Sequence, residues 1–508
     1  MKKKSEGDDD GGIGEGRVVF SAFLSVLCFL LVGSTIAVAC IRASSLRESF
    51  ASLALVAPDQ NPPDFDGGDL FTVPILELQT KVNGAGSSSY EPARAVSAEE
   101  ERPIGRNVST AIKSPHRKRT VTKTKKIEEG LARARHVIRK AASTWKQSAP
   151  TISGGIYRNP RAFHRSYMEM ERRFKVFVYE EGELPVVHDG PCKNIYASEG
   201  RFIGEMEHGR SHGFRTKDPY SAHVYFMPFS VTWMVKYLYK PLTYDVSPLQ
   251  QFVSDYVRVI STRHPFWNRT QGSDHFMLSC HDWGPLASKG NANVYNTSIR
   301  VLCNANSSEG FNPQKDVSLP EIHLYTGNIS PKLLQPNATA APRPLLAFFA
   351  GGLHGPIRPI LLRHWQNRSD DEDPPIRVYE YLPDHLDYYT LMLQSKFCLC
   401  PSGHEVASPR VVEAIYAECI PVILSANYVL PFSDVLNWDA FSLQVEVSEI
   451  RRLKEILMAV SPDEYSRLKE GVRAVRKHFV FNEPAQRYDV FHMILHSVWL
   501  RRLNLRTE

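Results

Sequence analysis

The chain has 508 residues, 43% of them hydrophobic and 23% charged, and a formal net charge of +6. That composition excludes a disordered or low-complexity protein and leaves room for two or three compact domains, because single cores stop growing at roughly 250–300 residues. The positive excess is local: Lys113 to Lys140 contains Arg117, Lys118, Arg119, Lys123, Lys125 and Lys126, a run that reads as a solvated linker, a nuclear signal or a nucleic-acid patch.

Residues 1–17 form a cytosolic tail. Val18 to Ile41 is an uncharged stretch of 24 residues bounded by Arg17 and Arg42. As a helix it extends about 36 Å at ~1.5 Å per residue, enough for a hydrocarbon core of ~30 Å and longer than a signal-peptide core. It is read as an uncleaved transmembrane anchor. Lys2, Lys3, Lys4 and Arg17 before the span outnumber Arg42 and Arg47 after it, which favours a cytosolic N-terminus. Asn-X-Ser/Thr sites at Asn107, Asn268, Asn296, Asn306, Asn328, Asn337 and Asn367 all follow the span, as suits a lumenal, N-glycosylated body. In a lumen the basic run meets neither chromatin nor cytosolic RNA, so no nucleic-acid partner is expected, and a stem or partner contact remains. Cys28 and Cys40 lie in the span. Cys192, Cys280, Cys303, Cys398, Cys400 and Cys419 allow up to three disulfides in an oxidising compartment. Cys398 and Cys400 share one face of a strand and are not expected to pair with each other.

Residues 42–156 read as a stem with a basic segment: Pro, Gly, Ser and Ala dominate to about residue 112, and a basic helical stretch runs from Ile127 to Ala142. From Tyr157 the texture changes to aromatic-rich strands separated by helices. Phe174 to Tyr179, Ala222 to Met227 and Leu345 to Ala350 are continuous apolar runs, the pattern of parallel strands buried on both faces. The fold class expected is α/β, with two Rossmann-like lobes over 157–340 and 341–484, joined near residues 335–344, and a final segment over 485–508.

The first lobe carries Trp267-Asn-Arg-Thr-Gln-Gly-Ser-Asp-His-Phe276 and Cys280-His-Asp-Trp-Gly-Pro285. Trp267 and Trp283 offer ring faces on which sugars stack. A side chain that takes a proton from a hydroxyl acts as a general base, and Asp274, His275, His281 and Asp282 are the candidates for that role. Adjacent His/Asp pairs are also a common structural motif, and spacing does not choose among the four.

The second lobe opens with a strand running into Gly351-Gly-Leu-His-Gly355 and a helix that carries Arg358 and Arg363. Strand, glycine turn and helix N-terminus make an anion cradle. Further on, Phe397 to Cys400 reads as a strand, Pro401 to Glu405 as a loop, and Ser408-Pro-Arg410-Val-Val-Glu413 as a helix start, with Ser408 as N-cap and Pro409 at the first helical position. Arg410 stands in the first turn, where the helix dipole disfavours a cation by roughly 0.3–1 kcal/mol, a placement that an anion would relieve. Glu413, three residues on, shares its face and suits a ribose diol, while Arg410 suits a diphosphate. Ile420 to Leu424 completes a βαβ unit. The Asp-X-Asp matches Asp64-Phe-Asp66 and Asp371-Glu-Asp373 both fall in polar loops, so no metal ligands are assigned. The arginines are expected to neutralise the diphosphate without a metal cofactor.

Together FFAGGLHGPIR, SKFCLCPSGHEVASPRVVEAIYAECIPVIL and GSDHFMLSCHDWGP resemble the exostosin-like glycosyltransferases, in particular the plant branch that builds cell-wall polysaccharides, over about Tyr157 to Leu503. The resemblance implies a two-lobed fold of GT-B type, with an acceptor lobe first, a nucleotide-sugar lobe second and a C-terminal helix crossing back. It implies inverting transfer from a nucleotide-diphosphate sugar, a UDP-sugar by preference, to a polysaccharide or glycan acceptor. A Golgi membrane location and homo- or hetero-oligomers with other glycosyltransferases go with it. It places Arg358, Ser402, Gly403, Ser408, Arg410 and Glu413 at the donor site. The loop before Arg358 is shorter and less polar than the family's usual run. The competing reading is a non-catalytic partner or scaffold subunit, against which the intact Arg410/Glu413 pair and the two His/Asp pairs argue.

Overall fold

The computed structural model describes residues 115–143, 155–209, 213–334, 342–366 and 373–505. The anchor over 18–41, Asp64 to Asp66 and the sequons at Asn107, Asn337 and Asn367 lie outside the described residues. No helix among the described residues is long and apolar enough to cross a membrane.

Two five-stranded sheets, every pairing parallel, form the body. In chain order the elements used below are α1 (Pro115–Ser143), α2 (Pro160–Arg173), β1 (Val176–Val178), α3 (Ser198–Glu207), β2 (Val224–Phe226), α4 (Val231–Leu238), α5 (Ser247–Arg263), β3 (His275–Ser279), β4 (Ile299–Leu302) and β5 (Val317–Ser318). The second lobe has β6 (Leu345–Ala350), α6 (Ile357–Trp365), β7 (Ile376–Tyr379), α7 (Tyr388–Leu393), β8 (Ser395–Pro401), α8 (Arg410–Tyr416), β9 (Ile420–Leu424), β10 (Leu443–Gln444) and α9 (Pro462–Val475). The chain closes with α10 (Val490–Asn504). The expectation of a two-lobed α/β protein holds, and strands β6 and β9 have the bounds expected from sequence.

The first sheet keeps chain order, β1-β2-β3-β4-β5, and its faces separate by residue parity. Val176, Val178, Val224, Phe226, Phe276 and Leu278 pack with α2, α3 and α10. Phe177, Tyr225 and Met277 point the other way, toward α4 and α5, as a two-residue side-chain period requires. Helix α10 is buried on nearly all sides, its His492, His496, Ser497, Arg501 and Arg502 included, and Trp499, Val498, Leu495 and Ile494 are fully buried, as in a helix enclosed by protein. Its Trp499 ring meets Phe174 edge-on at 5.5 Å. Arg501 bonds the Asp316 carbonyl at 2.7 Å and the Asp434 carboxylate at 3.0 Å, and Arg502 bonds the His223 carbonyl at 2.8 Å. The last residues of the chain therefore complete the core of the first lobe.

Helix starts follow local chemistry. Asn159 accepts from the Ala162 N–H at 3.0 Å ahead of Pro160, and Ser461 accepts from the Glu464 N–H at 3.2 Å ahead of Pro462, side-chain caps with proline at the first position. Helix α8 departs from this pattern. It starts at Arg410, with Pro409 in the cap position and no side-chain cap, so Ser408 is not the N-cap; its hydroxyl instead faces Arg410 Nη1 at 3.5 Å.

The basic stretch is also corrected. It is not a solvated linker but part of α1, whose Leu131 and Ala134 are fully buried in the core shared with α2. Glu128 on α1 is ion-paired to Arg502 of α10. The lobe thus takes in part of the segment expected to be stem. Two disulfides form among the described residues, Cys280–Cys303 and Cys398–Cys419, leaving Cys192 and Cys400 free.

Trp499→Ala is expected to cost about 3–5 kcal/mol, the usual loss for emptying a buried aromatic site. Urea unfolding of the full chain measures it, and a loss below about 1 kcal/mol would mean that α10 contributes little to the first lobe.

Candidate functional site

The second sheet runs β10-β9-β8-β6-β7. The chain leaves β6 for β7 on one side and then returns to β8 on the other, so strand order reverses between β6 and β8. Ligands in open parallel sheets bind outside the carboxyl ends of the strands at such a reversal. The loops after β6 and β8 are in backbone contact there: a Cβ on Gly355, where φ is +67°, would sit 1.9 Å from the Gly403 carbonyl. Only glycine fits. Across the junction the Phe349 ring of β6 lies under both arginines, 5.1 Å from the Arg410 guanidinium carbon and 6.0 Å from that of Arg358. Arg410 donates to the Ala350 carbonyl at 2.9 Å and Arg358 to the Gly352 carbonyl at 3.3 Å. Glu413 accepts from Tyr388 at 3.0 Å and Tyr389 at 3.2 Å. Ser402 is turned inward, bonding Ser425 at 2.6 Å and the Val406 carbonyl at 3.2 Å, so it ties the end of β8 to the end of β9.

Of the four base candidates, Asp274 and His275 do not reach this junction. Both are buried, at 1% and 0% exposure, on the α4/α5 side of the first sheet. Asp274 accepts from Arg269 at 2.6 Å, Thr270 at 2.6 Å and His275 Nδ1 at 2.9 Å, while Tyr179 bonds the other ring nitrogen at 2.8 Å. Burial raises the Asp274 carboxyl, but the bonds from His275, Arg269 and Thr270 outweigh it and hold it below its ordinary value. Burial pushes the His275 imidazole down, against Asp274. This is a closed structural network. Trp267 is likewise buried, edge-on to His275 at 4.9 Å, and offers no face to a sugar.

His281 and Asp282 are placed differently. Glu199, at the start of α3 and fully buried, accepts from the Ser279 hydroxyl at 3.0 Å and from the Cys280 and His281 N–H groups at 2.9 and 3.1 Å. Its other oxygen takes Ser230 and the Thr232 N–H. The Cys280–Cys303 bridge brings the ends of β3 and β4 to a Cα separation of 4.5 Å. Between them these ties hold the loop that carries Asp282. The His281 ring lies 4.7 Å from Tyr196 and accepts from the Trp283 N–H at 3.0 Å. Burial pushes its pKa down to about 3, which makes it a poor base. Asp282 is half-buried, and burial pushes it up to about 6 against the Tyr196 hydroxyl bond, with Glu309 adding to the rise.

Asp282 stands within electrostatic reach of the second lobe. Glu321, just after β5, is raised by burial and by Asp282, and lowered by Arg410 and Arg358. Glu405, in the β8 loop, is raised by burial, Asp282 and Glu309. The loops after the carboxyl ends of the two sheets thus meet along one seam, closed by an Asn306–Tyr428 bridge and by Tyr325 bonding Tyr389 at 2.7 Å. Arg358 and Arg410 lie on the second-lobe side together with Glu405 and Glu413, and Asp282, Glu309 and Glu321 lie on the first. Glu321, Glu309, Glu405 and Tyr196 were not among the residues singled out from sequence, although Glu405 lies inside the PSGHEVASPR motif. Asn268, Asn296 and Asn328 are exposed, whereas the Asn306 amide donates to Glu309 at 2.8 Å and its backbone joins the seam.

Residues 170–460 match the Exostosin GT47 domain. A probable glycosyltransferase of Arabidopsis thaliana is 64% identical over 386 residues, covering 75% of this chain and 79% of that protein. A probable glucuronosyltransferase of Oryza sativa subsp. japonica is 28% identical over 353 residues, covering 64% of this chain and 77% of that protein. The crystal structure of TarM aligns at a TM-score of 0.26 and 11% identity, over 49% of this chain and 57% of TarM. An α/β body with paired arginines at a strand-order reversal, joined to these matches, is a glycosyltransferase. The chain belongs to the exostosin GT47 family.

Glu199→Ala removes the common acceptor of five hydrogen bonds, four of them buried. It is expected to cost about 3 kcal/mol or more, since each buried donor left unpaired costs about 1–3 kcal/mol. Chemical unfolding of the full chain checks this, and an unchanged midpoint would show that water replaces the carboxyl.

Proposed function

We propose that this enzyme is an inverting glycosyltransferase of GT-B arrangement, transferring a sugar from a UDP-sugar to a polysaccharide or glycan acceptor in the Golgi lumen. The observation that carries this is the seam: Arg358 and Arg410 share the Phe349 ring at the β6/β8 reversal, and Asp282 reaches the same place from the other lobe. The two arginines bind the diphosphate and balance the charge that develops on it as the sugar leaves. Glu413 keeps acceptor capacity beyond its two tyrosine bonds and takes the ribose diol. Gly355 and Gly403 let the two loops meet closely enough to bring the arginines together.

Asp282 is the base. It takes the proton from the acceptor hydroxyl as that oxygen attacks the anomeric carbon and the bond to the diphosphate breaks. Its pKa of about 6 keeps it ionised near neutrality while making it a stronger base than an ordinary aspartate. No divalent ion is assigned, because the guanidinium groups supply the neutralising charge. A type II membrane topology follows from the uncharged span near the N-terminus, and the two disulfides support an oxidising compartment. Acceptors of the cell wall are favoured by the resemblance to plant polysaccharide enzymes.

Asp282→Asn is expected to lower kcat by 10²-fold or more, within the ~10²–10⁴ range of general-base catalysis, while UDP still stabilises the protein in a thermal melt. Because the protonated form of Asp282 is inactive, kcat/KM should rise with pH through about 6 and then level. A pH-independent rate, or a variant that keeps full activity, would remove Asp282 from this role. Arg410→Ala should abolish the UDP-dependent shift. Activity lost with EDTA and restored by manganese would overturn the metal-free reading.

A further inference from the structure

A second concave site lies away from the seam, where α1 crosses the first lobe. A recess of about 230 Å³ is lined by Lys123, Lys126, Gly130, Arg133, Arg173 and Tyr220, with Ile127, Ser221 and His223 completing its wall. No carboxylate lines it. Lys123, Lys126, Gly130 and Arg133 recur at helical spacing along one side of α1, about 15 Å end to end at ~1.5 Å per residue. The acids near these cations offset only part of their charge. Asp218 pairs with Lys123. A single carboxylate, Glu169, serves Arg165, Arg172 and Arg173 at 2.9, 2.9 and 2.6 Å. Glu129 stands 4.0 Å from an Arg133 side chain that is 62% exposed. Beneath the recess His223 is held neutral, its pKa pushed down to about 3 by burial and by Arg502, Lys175 and Arg173.

Gly130 is an independent sign. A glycine inside a helix costs roughly 1 kcal/mol against alanine, yet its packing does not demand one. A Cβ there would meet only the tip of Arg173, at 3.6 Å, and φ is not positive. What the glycine does is leave the floor of the recess open.

We propose that this recess binds a carboxylate-bearing sugar unit of an acidic polysaccharide. The volume is below the ~300–1,000 Å³ of pockets that swallow a whole drug-sized ligand, so it takes one unit of a chain whose neighbours run along α1. Tyr220 supplies a ring face for that sugar and the four cations its carboxylate partner. A lipid surface would instead be met by cations projecting from a convex face, whereas here they ring a hollow. The polymer's identity as a polysaccharide rests on the transferase reading above; the anion site rests on the recess alone.

The test uses the full chain with polygalacturonate, neutral dextran and phosphatidylserine vesicles as probes. The wild type should bind polygalacturonate, in a salt-sensitive manner, and not dextran. The double variant Lys126→Glu/Arg133→Glu should weaken that binding at least tenfold. Gly130→Gln, which fills the recess from its floor without changing charge, should do the same with the melting temperature no lower and the UDP-dependent shift unchanged. Equal binding of polygalacturonate and dextran, undiminished binding by both variants, or a loss confined to the vesicles would each overturn the proposal. A wild type with no UDP shift but recess-dependent polymer binding would sink the transferase reading and leave this one standing.

Discussion

The carboxyl of Glu199 accepts five hydrogen bonds from two segments of the first lobe, residues 230–232 and residues 279–281, and the rest of the seam depends on it. Without that acceptor the Cys280 and His281 N–H groups would be buried unpaired. With it, the turn leaving β3 has one permitted course, and that course presents Asp282 to the other lobe. The Cys280–Cys303 bridge adds a covalent tie at the same point. The loop that carries Asp282 is therefore held by several hydrogen bonds converging on one carboxyl, which is how a loop residue acquires a fixed position.

The opposite wall is organised by a different constraint. Two guanidinium groups share one phenyl ring and donate to backbone carbonyls, Ala350 and Gly352. Across the seam, Glu321 has its pKa lowered by both of them. Cations stand over a junction of two glycine loops, with Asp282, Glu309 and Glu321 facing them from the first lobe and Glu405 and Glu413 beside them on the second. In the proposed reading a diphosphate would lie against the arginines and Asp282 would receive the hydroxyl proton, groups already in position before substrate arrives.

Much of this architecture was legible in the chain. Runs such as Leu345 to Ala350 and Ile420 to Leu424 are apolar at every position, and burial on both faces left them no other reading. Arg410 was found because a cation in a first helical turn is electrostatically misplaced. The pairs Asp274/His275 and His281/Asp282 could not be told apart, because both follow the same residue pattern one strand length apart: the first lies at the entry of β3, among core aromatics, and the second just past its exit. Strand polarity decides, and a sequence does not reveal where a short strand starts. Glu321 and Glu405 escaped notice for a related reason: their significance arises only when loops more than eighty residues apart are brought together. The basic run was misjudged because its apolar stripe, Ile127, Leu131 and Ala134, is sparse among lysines and arginines.

Helix α10 has a consequence for how the protein comes into being. The described part of the first lobe starts at residue 115, yet its core is closed by Val490 to Asn504, synthesised after the second lobe. A nascent chain that has emerged through β5 still exposes one face of its sheet. It must stay unfinished, and in need of protection, while the entire second lobe is made. Domains that fold independently can be released in order as they emerge; this one cannot. The two lobes are consequently completed together, and a chain interrupted anywhere in the second lobe leaves no working half behind.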